Sequence, residues 1–191
     1  EDGKLHVRKQ IGLVREVFRA QHIKNLKGKM GIGHVRYPTA GGVTREFSQP
    51  LYVNSPYGIS ICHNGNLVNS KELTQELYEN DLRHLNTDSD SEVILNIFAN
   101  EMQKINSQSP SPEEIFSAVE KMHLRLKGAY SVVLMISGVG LLAIRDPNGI
   151  RPLMMGKKEN DLLGKTDYMF ASESPALDAL DFEILGDLKP A

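Results

Sequence analysis

The sequence predicts an α+β fold in which antiparallel sheets are layered with helices. Two observations carry that prediction. Residues 70–128 hold three successive stretches with apolar residues at helical spacing. The last third, residues 129–186, switches to short apolar runs separated by turn formers. A strand-like stretch precedes the helices, so the order is strands, helices, strands. That order belongs to layered α+β domains rather than to alternating βαβ units.

The elements are expected as follows. Residues 5–8 read as a short strand, and 11–18 as a short helix with Ile11, Val14 and Phe18 on one side, ended before Gly28. Residues 30–36 read as a strand in which Gly31 and Gly33 permit close backbone approach. Residues 37–58 carry three Pro and three Gly and read as a long loop with one short strand at 51–53. A strand at 59–63 follows, then a tight turn at Asn64-Gly65. A helix over 70–79 is capped by Asn69 or Ser70. A second, over 90–105, opens on Ser89-Asp90-Ser91-Glu92, the pattern of a capping box, and puts Ile94, Ile97, Phe98, Met102 and Ile105 on one face. The third opens on Ser111 with Pro112 at its first position, carries Ile115, Val119, Met122 and Leu126 on a stripe, and stops at Gly128. Strands at 129–136, 140–145, 151–156 and 167–172, a short helix at 174–180 and a strand at 182–186 complete the chain. Asp146-Pro147-Asn148-Gly149 has Pro and Gly placed for a type I turn.

Composition excludes several classes of function. With 24 acidic and 22 basic residues among 191 and a net charge of −2, the chain offers no basic field for nucleic acid. No apolar run approaches the roughly 18 residues of a membrane-spanning helix, and the charged start has no apolar signal core. The one Cys rules out an internal disulfide framework or a Cys-based zinc cluster and fits a reducing, cytoplasmic setting.

The segments with chemical potential are 33–42, 63–66, 87–92 and 145–152, where Gly and polar residues stand at the ends of strands and helices. Arg36 ends a strand, and its planar fork suits a carboxylate; it equally suits a surface ion pair. Asn64-Gly65 offers an amide and an N–H that can converge on one oxyanion, and is also the strongest short hairpin signal. Asp90, in the first turn of a helix, can hold an ammonium group or simply favour the helix dipole. Cys62 and His63 are strand neighbours and face opposite ways, so they do not form a dyad; Cys62 reads as a small core hydrophobe. His34 reads as structural.

Taken together, GIGHVRYPTAG (31–41), QPLYVNSPYG (49–58), HNGNLVN (63–69), NTDSDSE (86–92), GAYSVV (128–133), RDPNGIRPL (145–153) and ASES (171–174) resemble the glutaminase domain of the amidophosphoribosyltransferase family of class II glutamine amidotransferases. The resemblance runs from about residue 3 to residue 191. It implies an N-terminal-nucleophile fold, an αββα sandwich of antiparallel sheets between helix layers, and a glutaminase with an N-terminal Cys nucleophile. It further implies that Arg36 grips the glutamine α-carboxylate, that Asn64 and Gly65 form the oxyanion hole with Gly65 also lining the substrate site, and that Asp90 takes the α-ammonium group. Residues 37–46, including Thr39, match a loop that closes over glutamine. The ammonia is expected to pass to a phosphoribosyltransferase domain of the same parent chain, which uses Mg and makes phosphoribosylamine from phosphoribosyl pyrophosphate. The resemblance also implies a homo-oligomer.

The sequence departs from that family in having Glu1 where the nucleophilic Cys would stand, and in lacking both the QHRG-type segment and a phosphoribosyl-pyrophosphate loop. The expectation is therefore that residues 1–191 form a partial amidotransferase domain. Alone it would be inactive, with a sheet edge exposed and no cofactor of its own. Two rivals remain: a class II amidotransferase serving a sugar phosphate or asparagine synthesis, and a binding module of the same fold without a nucleophile.

Overall fold

The computed structural model describes residues 4–37, 45–160 and 164–191. Among them, two antiparallel sheets carry the architecture. The first is formed by β1 (Leu51–Val53), β2 (Ile59–Leu67), β3 (Gly128–Ile136) and β4 (Gly140–Arg145), in spatial order β1-β2-β3-β4. The second is formed by β5 (Met154–Asn160), β6 (Lys165–Ala171) and β7 (Glu183–Asp187), in order β6-β5-β7.

Between β2 and β3 run α3 (Ser70–Glu79), α4 (Asp90–Gln103) and α5 (Pro112–Arg125). Helix α4 packs on β1 and β2 and is flanked by α3 and α5. It is buried all round, from Ser91 to Met102. A single apolar face would not predict that, but a helix wedged between a sheet and two other helices has no solvent side. Ile59, Ile61, Ile94, Phe98, Met102, Met122 and Leu134 are the centre of the core. The short α6 (Ser174–Asp178) leans on β6 and β7.

Several local expectations hold to the residue. The cap of α5 is a full capping box: Glu114 N donates to Ser111 Oγ, Ser111 N donates to Glu114 Oε2, and Pro112 is at the first helical position. The Asp146–Gly149 turn closes with Gly149 N donating to Asp146 O at 2.9 Å.

Others are corrected. Residues 5–8 form no strand, and 11–18 shrink to one turn, α1 (Val14–Val17), followed by an unforeseen α2 (Ala20–Asn25). Ile11 and Val14 are exposed, and Val17 is the buried member of that turn. Residues 30–36 are not in a ladder, and a Cβ on Gly31 or Gly33 would meet nothing within 4 Å. An extended segment becomes a strand only when a partner edge meets it, and sequence does not reveal the partner. Helix α4 stops at Gln103, and the strand expected at 151–156 begins three residues later, at Met154. Residues 151–153 instead finish the turn that follows Asp146. Asn69 caps α3 by position only. Its amide accepts from Lys127 N and donates to Arg125 O, so it ties the helix start to the end of α5.

Candidate active site

The largest correction concerns Asn64-Gly65. It is no turn. Both residues lie inside β2, opposite Ser131 and Tyr130 of β3. Gly65 has φ +151°, and a Cβ there would sit 2.1 Å from Ala129 O and 2.7 Å from Tyr130 Cα, both backbone atoms. Only glycine fits so close an approach. The long ladder between β2 and β3, which runs from Ile59↔Ile136 to Leu67↔Gly128, overrides the turn preference of the dipeptide.

Tyr130, opposite Gly65, turns its backbone toward β4: its N–H donates to Asp146 Oδ2 and its C=O accepts from Asp146 N. Ladder alternation therefore directs the Gly65 N–H to the other edge of β2. That is the edge on which β1 pairs only as far as Leu51↔Ile61.

Asp90 reaches the same stretch of strand from the start of α4. Its Oδ2 accepts from Leu67 N at 3.1 Å, and its Oδ1 is 3.6 Å from His63 Nδ1. Ser89 makes no side-chain cap, so the expected capping box is absent. Glu92 instead turns back and accepts from Asn86 N, Thr87 N and the Thr87 hydroxyl at 2.7–2.9 Å. A buried carboxylate with three short donors fixes the loop that delivers Asp90.

His63 is the buried hub. Its Nδ1 shares a 2.9 Å hydrogen bond with Ser91 Oγ, and Nε2 has no partner among the described residues. Burial pushes its imidazole down to about 4, against the pull of Asp90 and with help from His34 and Arg151. His34 is likewise lowered by burial, offset in part by a hydrogen bond to the His63 backbone and deepened by Arg36. These interactions gather residues 34–36, β2, the start of α4 and the 145–152 turn around one place. The Arg36 guanidinium also lies 5.4 Å from the centroid of the Phe47 ring. A cleft of about 310 Å³ opens beside it, with Arg8, Lys9, His34, Arg36 and Gln49 on its walls.

Cys62 is buried in β2 and its thiol is pushed up to about 12 by burial. At neutral pH it is a protonated core residue, not a nucleophile.

A glutamine amidotransferase domain family matches residues 42–179. The chain belongs to that family. It is 53% identical over 189 residues to the amidophosphoribosyltransferase of Pseudomonas aeruginosa, covering 99% of this chain and 37% of the relative. It is 52% identical over 184 residues to that of Escherichia coli, covering 96% and 36%. Two solved structures are similar over 94% of this chain and 35% of their own. One is the glutamine phosphoribosylpyrophosphate amidotransferase of B. subtilis complexed with ADP and GMP, with TM-score 0.73 and 32% identity. The other is described as the allosteric regulatory enzyme of purine biosynthesis, with TM-score 0.75 and 34% identity. The fold is thus the N-terminal-nucleophile α+β type, and the chain spans little more than a third of its relatives' length.

Within this amidotransferase domain, the structure brings Asn64, Gly65 and Asp90 onto one short stretch of β2 and α4. Arg36 stands beside His34, whose ring meets the His63 backbone. Thr39 and residues 38–44 of the expected closing loop lie outside the described residues; 45–47 form a 3-10 turn. Sequence reasoning missed Gln49, Ser91 and Glu92, which hold the predicted residues in place. The signal for Gln49 is its position before Pro50 at the start of a strand. Ser91 and Glu92 were hidden by the capping-box pattern. Among the described residues, no helix is long and apolar enough to cross a membrane, and no cluster of three or more His, Cys, Asp or Glu can hold a metal.

Proposed function

We propose that this chain is the glutamine-hydrolysing part of an amidophosphoribosyltransferase, forming part of one class II amidotransferase domain. One observation supports it above the others: an Asn-Gly pair locked inside a strand, with a carboxylate held against the same strand two residues on, in a chain about half identical to such enzymes. Free glutamine is a zwitterion with a reactive amide. A site for it needs a cation, an anion and a clamp for the oxyanion.

In this reading the Asp90 carboxylate takes the α-ammonium group and Arg36 takes the α-carboxylate bidentately. Thr39 and its loop close over the bound substrate. Attack on the side-chain amide puts negative charge on its oxygen, which the Asn64 amide and the Gly65 N–H stabilise. The attacking thiolate is supplied from outside these 191 residues, because the only Cys here is buried and protonated. Ammonia leaves, and water releases glutamate from the thioester. The ammonia then displaces pyrophosphate from phosphoribosyl pyrophosphate in a second, Mg-dependent domain of the same chain. We place the parent in the cytoplasm as a homo-oligomer.

Arg36→Ala in the full-length parent tests this. Glutamine-dependent synthesis should fall about 100-fold or more, while synthesis from free ammonia stays within about twofold, because only the first needs the α-carboxylate clamp. Equal loss of both removes Arg36 from the site. A parent that releases no glutamate from glutamine removes the whole reading.

A further inference from the structure

β1 begins at Leu51, paired with Ile61. Continuing that register puts Pro50 opposite Cys62 and Gln49 opposite His63. Alternation leaves the Pro50–Cys62 pair without ladder bonds, so position 49 is where the backbone of β1 would next meet β2, and the ladder ends before it, at Leu51. The Gln49 side chain takes over. His63 N donates to Gln49 Oε1 at 2.6 Å, and Gln49 Nε2 donates to His63 O at 3.1 Å. One amide side chain thus supplies the acceptor and the donor that a strand residue would have supplied. The same Nε2 also donates to Ser91 Oγ at 3.3 Å, and Ser91 Oγ holds the His63 ring. Three chain segments are closed into one ring of hydrogen bonds: the approach to β1, the middle of β2, and the first turn of α4.

That ring sits one residue before Asn64 and next to Asp90 in sequence. His63 and Gly65, two apart on β2, present their N–H groups to the same edge. Gln49 occupies that edge at His63, and the Gly65 N–H is the next to face it. The angle at which the Gly65 N–H leaves the strand is therefore set by how firmly the His63 peptide is held.

Resting on the proposed glutaminase reading, we propose that Gln49 is a positioning residue for the oxyanion clamp. Its side-chain amide replaces the missing backbone partner of His63 and so aims the Asn64 amide and the Gly65 N–H. The residue touches no reacting atom. Its contribution is orientation, where displacements of about 1 Å cost on the order of 100-fold in rate.

The test uses the full-length parent, assayed with glutamine and with ammonia. Gln49→Ala should lower kcat with glutamine by about 10- to 100-fold and leave KM for glutamine within about threefold, because transition-state donors are misaimed while the ion-pair clamps remain. Ammonia-dependent synthesis should stay within about twofold. Gln49→Glu keeps the volume and the acceptor for His63 N but loses the donation to His63 O; it should fall between wild type and Ala in kcat, and it carries the test if the Ala variant does not fold. An unchanged kcat, a rise in KM alone, or equal losses with glutamine and ammonia overturns the inference while the unsubstituted parent's glutaminase stands. Absence of glutaminase in the unsubstituted parent overturns the underlying reading and this inference with it.

Discussion

The chain contains the dipeptide Asn-Gly at 64–65 and again at 148–149, and the two copies meet opposite fates. Asn148-Gly149 is the turn that its residues favour: Gly149 has φ +61°, and its N–H closes the turn on Asp146 O. The turn is anchored from within, because the fully buried Asp146 carboxylate accepts from Tyr130, Asn148, Ile150 and Arg151 N–H groups. Arg145 adds bonds to the carbonyls of Gly149, Arg151 and Leu188. Asn64-Gly65 is instead stretched into β2, because the ladder with β3 continues on both sides of it. Local preference decided where no long-range partner competed. Where a nine-residue ladder competed, preference lost, and the glycine was kept for a different reason: no side chain fits beside Ala129 and Tyr130. The first copy lies at the candidate oxyanion site; the second only shapes a turn.

Three experiments on the parent protein would break or sharpen this contrast. Gly65→Ala should have the largest effect, since the new Cβ meets backbone on two sides and a sheet cannot yield locally. A loss of roughly 4 kcal/mol or more, with no glutamine-dependent activity in the soluble fraction, is expected in a urea titration read alongside the assay. Gly149→Ala should be milder. It meets a positive φ and a Cβ contact of 2.8 Å with Pro190 Cγ, a side-chain atom, where Gly65 meets backbone. About 1–2 kcal/mol should be lost, with glutamine use within about twofold of wild type. If the two substitutions cost the same, the distinction between strand and turn copies collapses.

A third test uses pH. His63 is held below its ordinary 6.5, chiefly by burial, at about 4. The unfolded chain therefore takes up a proton that the folded one refuses. Stability from the neutral ring is present above pH 6.5 and is lost as pH falls toward 4, by no more than about tenfold per pH unit. Asp146 behaves in a lower window. Burial alone would raise its carboxyl, but four backbone N–H donors bring it below the ordinary carboxylate range. Its contribution is present above that range and is lost only as pH falls through it. Hydrogen exchange between pH 6.5 and 4.5, corrected for intrinsic rate, should show protection falling at residues 60–67 and holding at 146–151. Parallel loss at both would contradict the assignment.

Much of the fold was legible. Helices α3 and α5, strands β3 and β4 and the Asp146 turn follow from periodicity and turn chemistry, because each satisfies its own preferences locally. The N-terminal stretch was misread because short apolar runs such as 30–36 take their state from a partner. Of the candidate site, Arg36, Asn64, Gly65 and Asp90 were legible as residue types, and the family resemblance supplied their roles. Gln49, Ser91 and Glu92 were not, because what they do depends on chain segments up to 42 residues away.

By itself, then, the sequence determined the α+β class, the helical middle, and the presence of a cation, an anion and an Asn-Gly pair. Those properties are local or additive along the chain. Only the tertiary structure decided that Asn64-Gly65 is strand rather than turn, that Glu92 braces a loop rather than a cap, and that Gln49 stands in for a missing strand partner. Each of those outcomes is a competition between a local bond and a distant one, and burial in a packed sheet and helix layer determines the winner.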